Sequence, residues 1–293
     1  MKPTNNCKIC GSDELHVFLK TQDYFLTNEA FDLIKCDQCG YIATYPVPAN
    51  EDLGKYYDSK NYLSHTAAQK GMLNRMYQIL RSLNIKRKYN HIVKYKQNGN
   101  ILDIGCGTGE LLNYFSTHKW NATGIEPNAE ARTFGTYSYH LDIKDESELK
   151  NLTLEQYDVI SMWHVLEHVP DINHRIEQIK KLLKPDGIIV IALPNINSYD
   201  AIKYGRFWAG LDVPRHLHHF SPNSFNELAK KHQLQLLESI PMKMDSFYVS
   251  LLSEKYKNNS LALFSGFFSG LVSNFKGRRS NNYSSMIFVL KKE

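Results

Sequence analysis

The chain has 293 residues, 42% of them hydrophobic and 22% charged, with a formal charge of +5. That is the make-up of an ordinary globular protein with room for one large domain and an appendage. The charge is mild and gathers in no basic block or stripe, so composition gives no case for a nucleic-acid partner. The opening stretch, Met1 to Asn6, lacks an apolar signal core, and no run reaches the ~18–20 apolar residues of a spanning helix. A cytoplasmic protein is the expectation.

Four of the five cysteines form two pairs, Cys7/Cys10 and Cys36/Cys39, each a C-x-x-C followed by glycine. Glycine lets the backbone N–H groups turn toward the thiolates. Two such turns facing each other make a tetrahedral cage suited to structural Zn2+. A redox pair is the alternative. With all four positions filled by cysteine, no open coordination site is left for catalysis. Residues 15–19 and 31–35 read as short strands, and a module this small would draw much of its folding energy from the metal. The module is expected to span residues 1–50.

A tyrosine-rich stretch follows, with Tyr56, Tyr57, Tyr62 and His65, read either as interdomain packing or as a lid whose hydroxyls face a substrate. Leu73, Met76, Tyr77, Leu80, Tyr89, Ile92 and Val93 then recur at helical spacing. The opposite face, with Arg81, Lys86, Arg87, Lys88, Lys94 and Lys96, reads as solvated. Residues 51–98 are therefore expected to be a linking segment.

The core begins with a strand at 101–104 that runs into Gly105, Gly107 and Gly109 and then a helix at 109–118. Strand, glycine turn and helix make a nucleotide cradle, because glycine tolerates positive φ and close ligand approach while the helix start offers unpaired N–H groups. A second strand, 121–126, ends in Glu126-Pro127. This acid lies about twenty residues past the first glycine, where such folds hold ribose hydroxyls. Asp103 at the strand end would repel a phosphate but suits a cationic ligand. Cys106 reads as a small residue tolerated in the loop. Further strands are predicted near 137–140, 157–163 and 188–193, with a helix over 171–183 capped by Asp171 and stopped by Pro185-Asp186-Gly187. The alternation implies a doubly wound parallel α/β sheet with its ligand at the carboxyl ends of the strands.

Residues 102–109, Glu126, 157–169 and 182–191, in that order, resemble the motifs of class I S-adenosyl-L-methionine (SAM) methyltransferases. The resemblance implies a seven-stranded Rossmann-like sheet over residues 99–293 and SAM as cofactor. It implies SAM contacts at Asp103, Gly105, Cys106, Gly107, Gly109, Glu126 and Pro127. Residues past the third strand, Leu141, Asp142 or Ile143, would line the adenine, and Trp163 and His164 would flank the methionine end. The cysteine pairs with the tyrosine stretch resemble the front end of zinc-ribbon sugar C-methyltransferase relatives. The stretch His164-Val-Leu-Glu167-His168 resembles quinone-biosynthesis O-methyltransferases, in which acids and a histidine at these offsets hold a divalent metal. Against that stands a reading in which Glu167 and His168 only cap and pack.

The loop over 204–221 is the densest in chemistry, with Arg206, Trp208, Asp212, Arg215, His216, His218 and His219. In class I methyltransferases this region faces the acceptor, and relatives carry a similar Pro-Arg-His-Leu string. Histidine suits a general base near neutral pH. His216 is the chosen base, with Arg215 or Asp212 orienting it or the acceptor; a hydrogen-bonded lid is the structural alternative. Ser221-Pro222 should cap a helix over 223–232, followed by a strand at 234–240 and a last strand at 285–290. Between these strands, about 241–283 reads as a helical insertion. Leu261, Phe264, Phe267, Phe268, Leu271, Val272 and Phe275 form its apolar face, followed by Lys276, Arg278 and Arg279. This face could cover the core, join two copies as an oligomer, or meet a membrane surface or lipid-linked acceptor.

The expected function is methyl transfer from SAM to a small molecule: a sugar, a sugar nucleotide, or a polyprenyl or lipid-linked intermediate. Methylation of RNA or protein, with the ribbon as recognition module, is one rival; a non-catalytic SAM-binding protein is the other.

Overall fold

The structure is a computed structural model and describes residues 6–49, 52–57 and 72–293, with the backbone alone for 53 and 72–80. Tyr62, His65 and the side chains of Leu73, Met76, Tyr77 and Leu80 lie outside the described residues.

The N-terminal module is an antiparallel meander of β1 (Leu15–Gln22), β2 (Ala30–Cys36) and β3 (Ile42–Tyr45). Helix α1 (Met72–Val93) leads to the core, where β4 (Asn100–Ile104), α2 (Glu110–Thr117), β5 (Asn121–Ile125), α3 (Ala129–Tyr139) and β6 (Asp142–Lys144) alternate. Then come β7 (Tyr157–Trp163), α4 (Ile172–Leu182), β8 (Leu183–Pro194) and α5 (Tyr199–Tyr204). The chain closes with β9 (His218–His219), α6 (Pro222–Lys231), β10 (Leu234–Pro241), α7 (Asp245–Tyr256), α8 (Ala262–Ser280) and β11 (Ser285–Lys292).

Seven strands form one sheet in the order β10-β11-β8-β7-β4-β5-β6. Strands β8, β7, β4, β5 and β6 are parallel, and β11 runs antiparallel between β8 and β10. Period-two alternation sends side chains to the sheet's two faces. Leu102, Ile104, Ile160 and Met162 join a core with Ile172, Ile176 and Ile179 of α4. Ile101, Val159 and Val190 join another with Ile92 of α1 and Leu112 and Phe115 of α2. The doubly wound seven-stranded architecture is as expected.

Two local expectations are corrected. Residues 137–140 are not a strand: 137–139 end α3, which starts at the Asn128 cap, whose side chain accepts from Ala131 N at 2.9 Å. The third strand, β6, follows at Asp142–Lys144. Pro185, Asp186 and Gly187 do not separate helix from strand but lie inside β8, which starts at Leu183.

The N-terminal sheet takes its fourth strand from far along the chain. Its order is β1-β2-β3-β9, with Ile42 opposite His219 and Ala43 opposite His218. The histidine-rich loop after β8 is thereby fixed to the cysteine module. Among the described residues no helix is long and apolar enough to cross a membrane.

Candidate active site

The turn after β4 is a left-handed staircase: Gly105, Gly107 and Gly109 have φ of 71°, 57° and 82°. Gly105 is also sterically required, because a Cβ there would lie 2.4 Å from Val165 Cγ2. The Glu126 carboxylate fixes the turn from the next strand end, accepting from Gly107 N at 2.8 Å on Oε2 and from Asn128 N at 2.9 Å on Oε1. Each oxygen keeps acceptor capacity for a ligand hydroxyl. Burial pushes the Glu126 carboxyl up, opposed by those two backbone N–H groups. Pro127 is exposed beside it on the rim.

Asp103 is 3% exposed and accepts from the Ser161 hydroxyl at 2.6 Å. Burial pushes its carboxyl up to about 6, against the Ser161 bond and the nearby Lys88 charge. The Lys88 ammonium stands 4.3 Å over the Trp163 ring, and burial lowers its pKa against the charges of Asp103 and Asp245. Sequence reasoning put Lys88 on a solvated face; the structure turns it into the cradle. The signal was present, since Lys88 lies four residues before the buried Ile92 on the same helix face. Among the described residues Trp163 Nε1 is buried without a hydrogen-bond partner. The Cys106 thiol is pushed up by burial and by the charges of Asp103 and Glu126, which suits a space-filling residue.

Asp142 is not where the adenine-side residue was expected. It pairs with Thr123 at the amino end of β6, is exposed, and salt-bridges Lys144 at 3.0 Å. At the ligand end stands Asp145, pinned by Ser147 N at 3.0 Å and by Arg132 at 2.9 Å.

His164 leaves β7 with φ of 58° and donates to Asp245 at 3.1 Å, with Glu167 Oε1 3.4 Å from its other nitrogen. Burial alone would keep the ring neutral, but the Asp245 bond and the facing Glu167 carboxylate push it up to about 9. The sequence left open whether His164, Glu167 and His168 hold a metal or only cap and pack, and among the described residues His164 does not join a three-ligand group. Instead Glu167, His168 and His216 bring one ligand atom each within 4.8 Å of one another. Glu167 is 1% exposed and faces His164 across 3.4 Å, with no hydrogen bond of good geometry on either oxygen among the described residues. Burial pushes its carboxyl up, but the facing His164 and the nearby His216 hold it below the usual range.

The His216 ring donates from Nδ1 to the Gly210 carbonyl at 3.0 Å, leaving its lone pair on Nε2 in the neutral form. Asp212 Oδ2 is 4.0 Å from that nitrogen, too far to orient it by a hydrogen bond. Asp212 is instead held by Arg215 at 2.7 and 3.0 Å. Arg215, 6% exposed, also reaches Asp23 at 2.9 Å and the Tyr56 carbonyl at 2.9 Å. Both residues thus brace the loop against the N-terminal module, and the hydrogen bond that holds the His216 ring is the one to the Gly210 carbonyl. His168 donates from Nδ1 to the Arg215 carbonyl at 3.0 Å, and burial takes its pKa down to about 4. Tyr57 OH is 3.3 Å from the same nitrogen, while Tyr56 packs edge-on to Phe31. One tyrosine of the pair therefore faces the cluster and the other is packing. His218 and His219 are buried in β9; His218 donates to the Val169 carbonyl at 2.8 Å and accepts from Tyr41 OH, and His219 meets Thr44 Oγ1 at 2.9 Å.

In the cysteine module the Sγ atoms of Cys7 and Cys39, and of Cys10 and Cys36, are 3.5 Å apart, and all four lie within 4.8 Å of one another. A tetrahedral ion with ~2.3 Å bonds to sulfur separates its ligands by about 3.8 Å. The two halves match: Gly11 N donates to the Cys7 carbonyl at 2.9 Å and Gly40 N to the Cys36 carbonyl at 3.0 Å.

Sheet order, glycine staircase and strand-end carboxylates together define the class I methyltransferase fold with its donor cradle. A family model described as a methyltransferase domain matches residues 77–239. The chain belongs to that family of SAM-dependent methyltransferases. It is 30% identical over 145 residues to the ubiquinone biosynthesis O-methyltransferase of Actinobacillus pleuropneumoniae serotype 7 (strain AP76), covering 44% of this chain and 62% of the relative. To the enzyme of the same name from Glaesserella parasuis serovar 5 it is 33% identical over 133 residues, covering 41% and 56%. The chain thus spans about three fifths of the length of the curated relatives it matches. Among solved structures, a putative sarcosine dimethylglycine methyltransferase from Galdieria sulphuraria superposes with TM-score 0.52 at 14% identity, over 75% of this chain and 88% of that one. The geranyl diphosphate C-methyltransferase of Streptomyces coelicolor A3(2) does so with TM-score 0.52 at 12% identity, over 74% and 82%.

Proposed function

We propose that this protein transfers a methyl group from SAM to a small-molecule acceptor, with His216 as the base. The observation that carries the reading is the cradle: a positive-φ glycine turn locked by Glu126, with Asp103 buried beside it. SAM brings an electrophilic methyl group on a sulfonium. In this reading Glu126 takes the ribose hydroxyls, the glycine turn of residues 105–109 and Pro127 line the adenosine, and Asp103 offsets the positive charge. Trp163 Nε1 and His164 meet the methionine end, and Lys88 is displaced from the ring it covers. His216 Nε2 takes the acceptor's proton, and the neighbouring Glu167 carboxylate stabilises the resulting imidazolium. Arg215 and Asp212 hold the loop that carries His216.

Relatives named for ubiquinone and geranyl diphosphate favour an isoprenoid or lipid-linked acceptor over a sugar or sugar nucleotide. The four cysteines are proposed to hold a structural Zn2+ that organises residues 1–50 as a module, a reading supported by their sulfur spacing. The test is incubation of the protein with methyl-deuterated SAM and metabolite extract, followed by mass spectrometry. A labelled product that disappears with His216→Ala supports the reading; a labelled product made equally well by that variant removes His216 as base.

The clustering of the buried Glu167 carboxylate with the two imidazoles favours a second reading, in which Glu167, His168 and His216 hold a divalent cation. Both imidazoles commit Nδ1 to a backbone carbonyl, the arrangement that leaves Nε2 for a metal. Such a cation would lower the pKa of an acceptor hydroxyl, and His216 would then be a ligand rather than a base. Elemental analysis decides between them: metal beyond the cysteine site, lost with Glu167→Gln, selects the second.

A further inference from the structure

The hairpin of α7 and α8 is turned inside out relative to an ordinary surface helix pair. The inner face of α8 is Ala262, Gly266, Ser269, Gly270, Ser273 and Gly277. A Cβ on Gly266 would lie 2.7 Å from Leu251 Cα, and one on Gly270 2.9 Å from Phe247 Cα, so the two helices meet backbone to backbone. The large side chains point the other way: Leu263, Phe264, Phe267, Phe268, Leu271 and Phe275 are 43–69% exposed. A contiguous apolar face of this size marks an interaction surface.

Charge identifies what it meets. Residues 243–281 carry Lys243, Lys255, Lys257, Lys276, Arg278 and Arg279, all exposed. The stretch has two acids, both engaged inward: Asp245 with His164 at 3.1 Å, and Glu254 with Tyr204 at 2.9 Å and Asn259 at 2.7 Å. Lys255 and Lys257 stand at the turn between the helices. Lys276, Arg278 and Arg279 stand at the far end, where Asn274 holds the Lys243 carbonyl at 2.9 Å. Cations therefore rim the apolar face at both ends. Pairing this face with itself, parallel or antiparallel, would set like charges together; an anionic bilayer satisfies both the rim and the face.

We propose that the outer face of α8 docks the protein on the surface of an anionic lipid bilayer, with the phenylalanines in the headgroup layer and the six cations against lipid phosphates. The first residue of α7, Asp245, bonds His164 at the cradle, so docking would hold the donor site beside the membrane. This extends the proposed function to acceptors carried in the bilayer, but the binding itself involves no methyl transfer and is measured apart from it.

The test is flotation of the full chain with vesicles of phosphatidylcholine alone and of phosphatidylcholine with phosphatidylglycerol. The expected result is binding at least ~10-fold tighter to the anionic vesicles at low salt, weakened as salt rises. Arg278→Glu with Arg279→Glu should abolish that preference, and Phe264→Ser with Phe268→Ser should release the protein from both vesicles, each with unchanged circular dichroism and SAM affinity. The proposal is overturned if the wild-type chain stays unbound to both. It is equally overturned if light scattering shows a dimer that the Phe264/Phe268 pair dissolves while vesicles capture nothing. Neither outcome touches the methyl-transfer reading, which stands or falls on the labelled product.

Discussion

Replacing Glu126 by Gln isolates the donor cradle with the smallest change in volume. The ionised carboxylate offers roughly four acceptor positions. Two are taken by Gly107 N and Asn128 N at 2.8 and 2.9 Å, which leaves two for ribose hydroxyls. The amide keeps one oxygen and turns a donor toward a backbone N–H. One charge-assisted bond to ribose is lost and the other becomes neutral, together about 3 kcal/mol, or about two orders of magnitude in SAM affinity. One buried N–H also loses its acceptor, costing the free protein about 1–3 kcal/mol and a few degrees of melting temperature. Titration calorimetry at 25 °C with SAM reads the first effect and thermal unfolding followed by circular dichroism the second. Asp142→Asn, an exposed change at the wrong end of β6, is the matched control and should leave both unchanged. A Glu126→Gln protein that binds SAM within about threefold of wild type would remove the carboxylate from the ligand site.

Other expected outcomes follow from the same geometry. Asp103 has its carboxyl raised to about 6 in the folded protein, so its contribution to stability is greatest below the unfolded value near 3.8 and is lost as pH rises through 6. A cationic donor needs the ionised form, so SAM affinity should fall about tenfold per unit as pH drops below 6, and Asp103→Asn should flatten that slope; a pH-independent wild-type affinity would contradict it. Cys7→Ser with Cys36→Ser should release zinc by elemental analysis and loosen residues 6–49 to proteolysis, and retained metal would rule out the cage. His216→Ala should lower turnover about 10²–10⁴-fold with little change in SAM affinity, and normal turnover would end its role as base.

The core was legible because its signals are local. Strand β7 is found at the predicted residues 157–163, and the glycines at 105, 107 and 109 announced the turn. Helix α3 was misjudged at its end because Thr136, Tyr137 and Tyr139 favour strands, whereas the helix is held by the Asn128 cap and by close packing at Gly135, where a Cβ would meet Ile143 at 2.4 Å. The loop after β8 was legible as chemistry but not as structure. Arg215 finds Asp23 across 192 positions, and β9 is a two-residue strand whose partner lies in the cysteine module. No periodicity within the loop encodes such pairings. They also explain why three adjacent-looking histidines divide: His218 and His219 are committed to the module, and His216 alone keeps a nitrogen toward Glu167.

The most direct measurement is a crystal structure of the protein with S-adenosylhomocysteine. The account predicts the ribose hydroxyls on the Glu126 carboxylate, the adenosine against the turn of residues 105–109, and Lys88 moved off the Trp163 ring. A ligand bound elsewhere, or a turn that stays closed with Lys88 in place at saturating ligand, would contradict it.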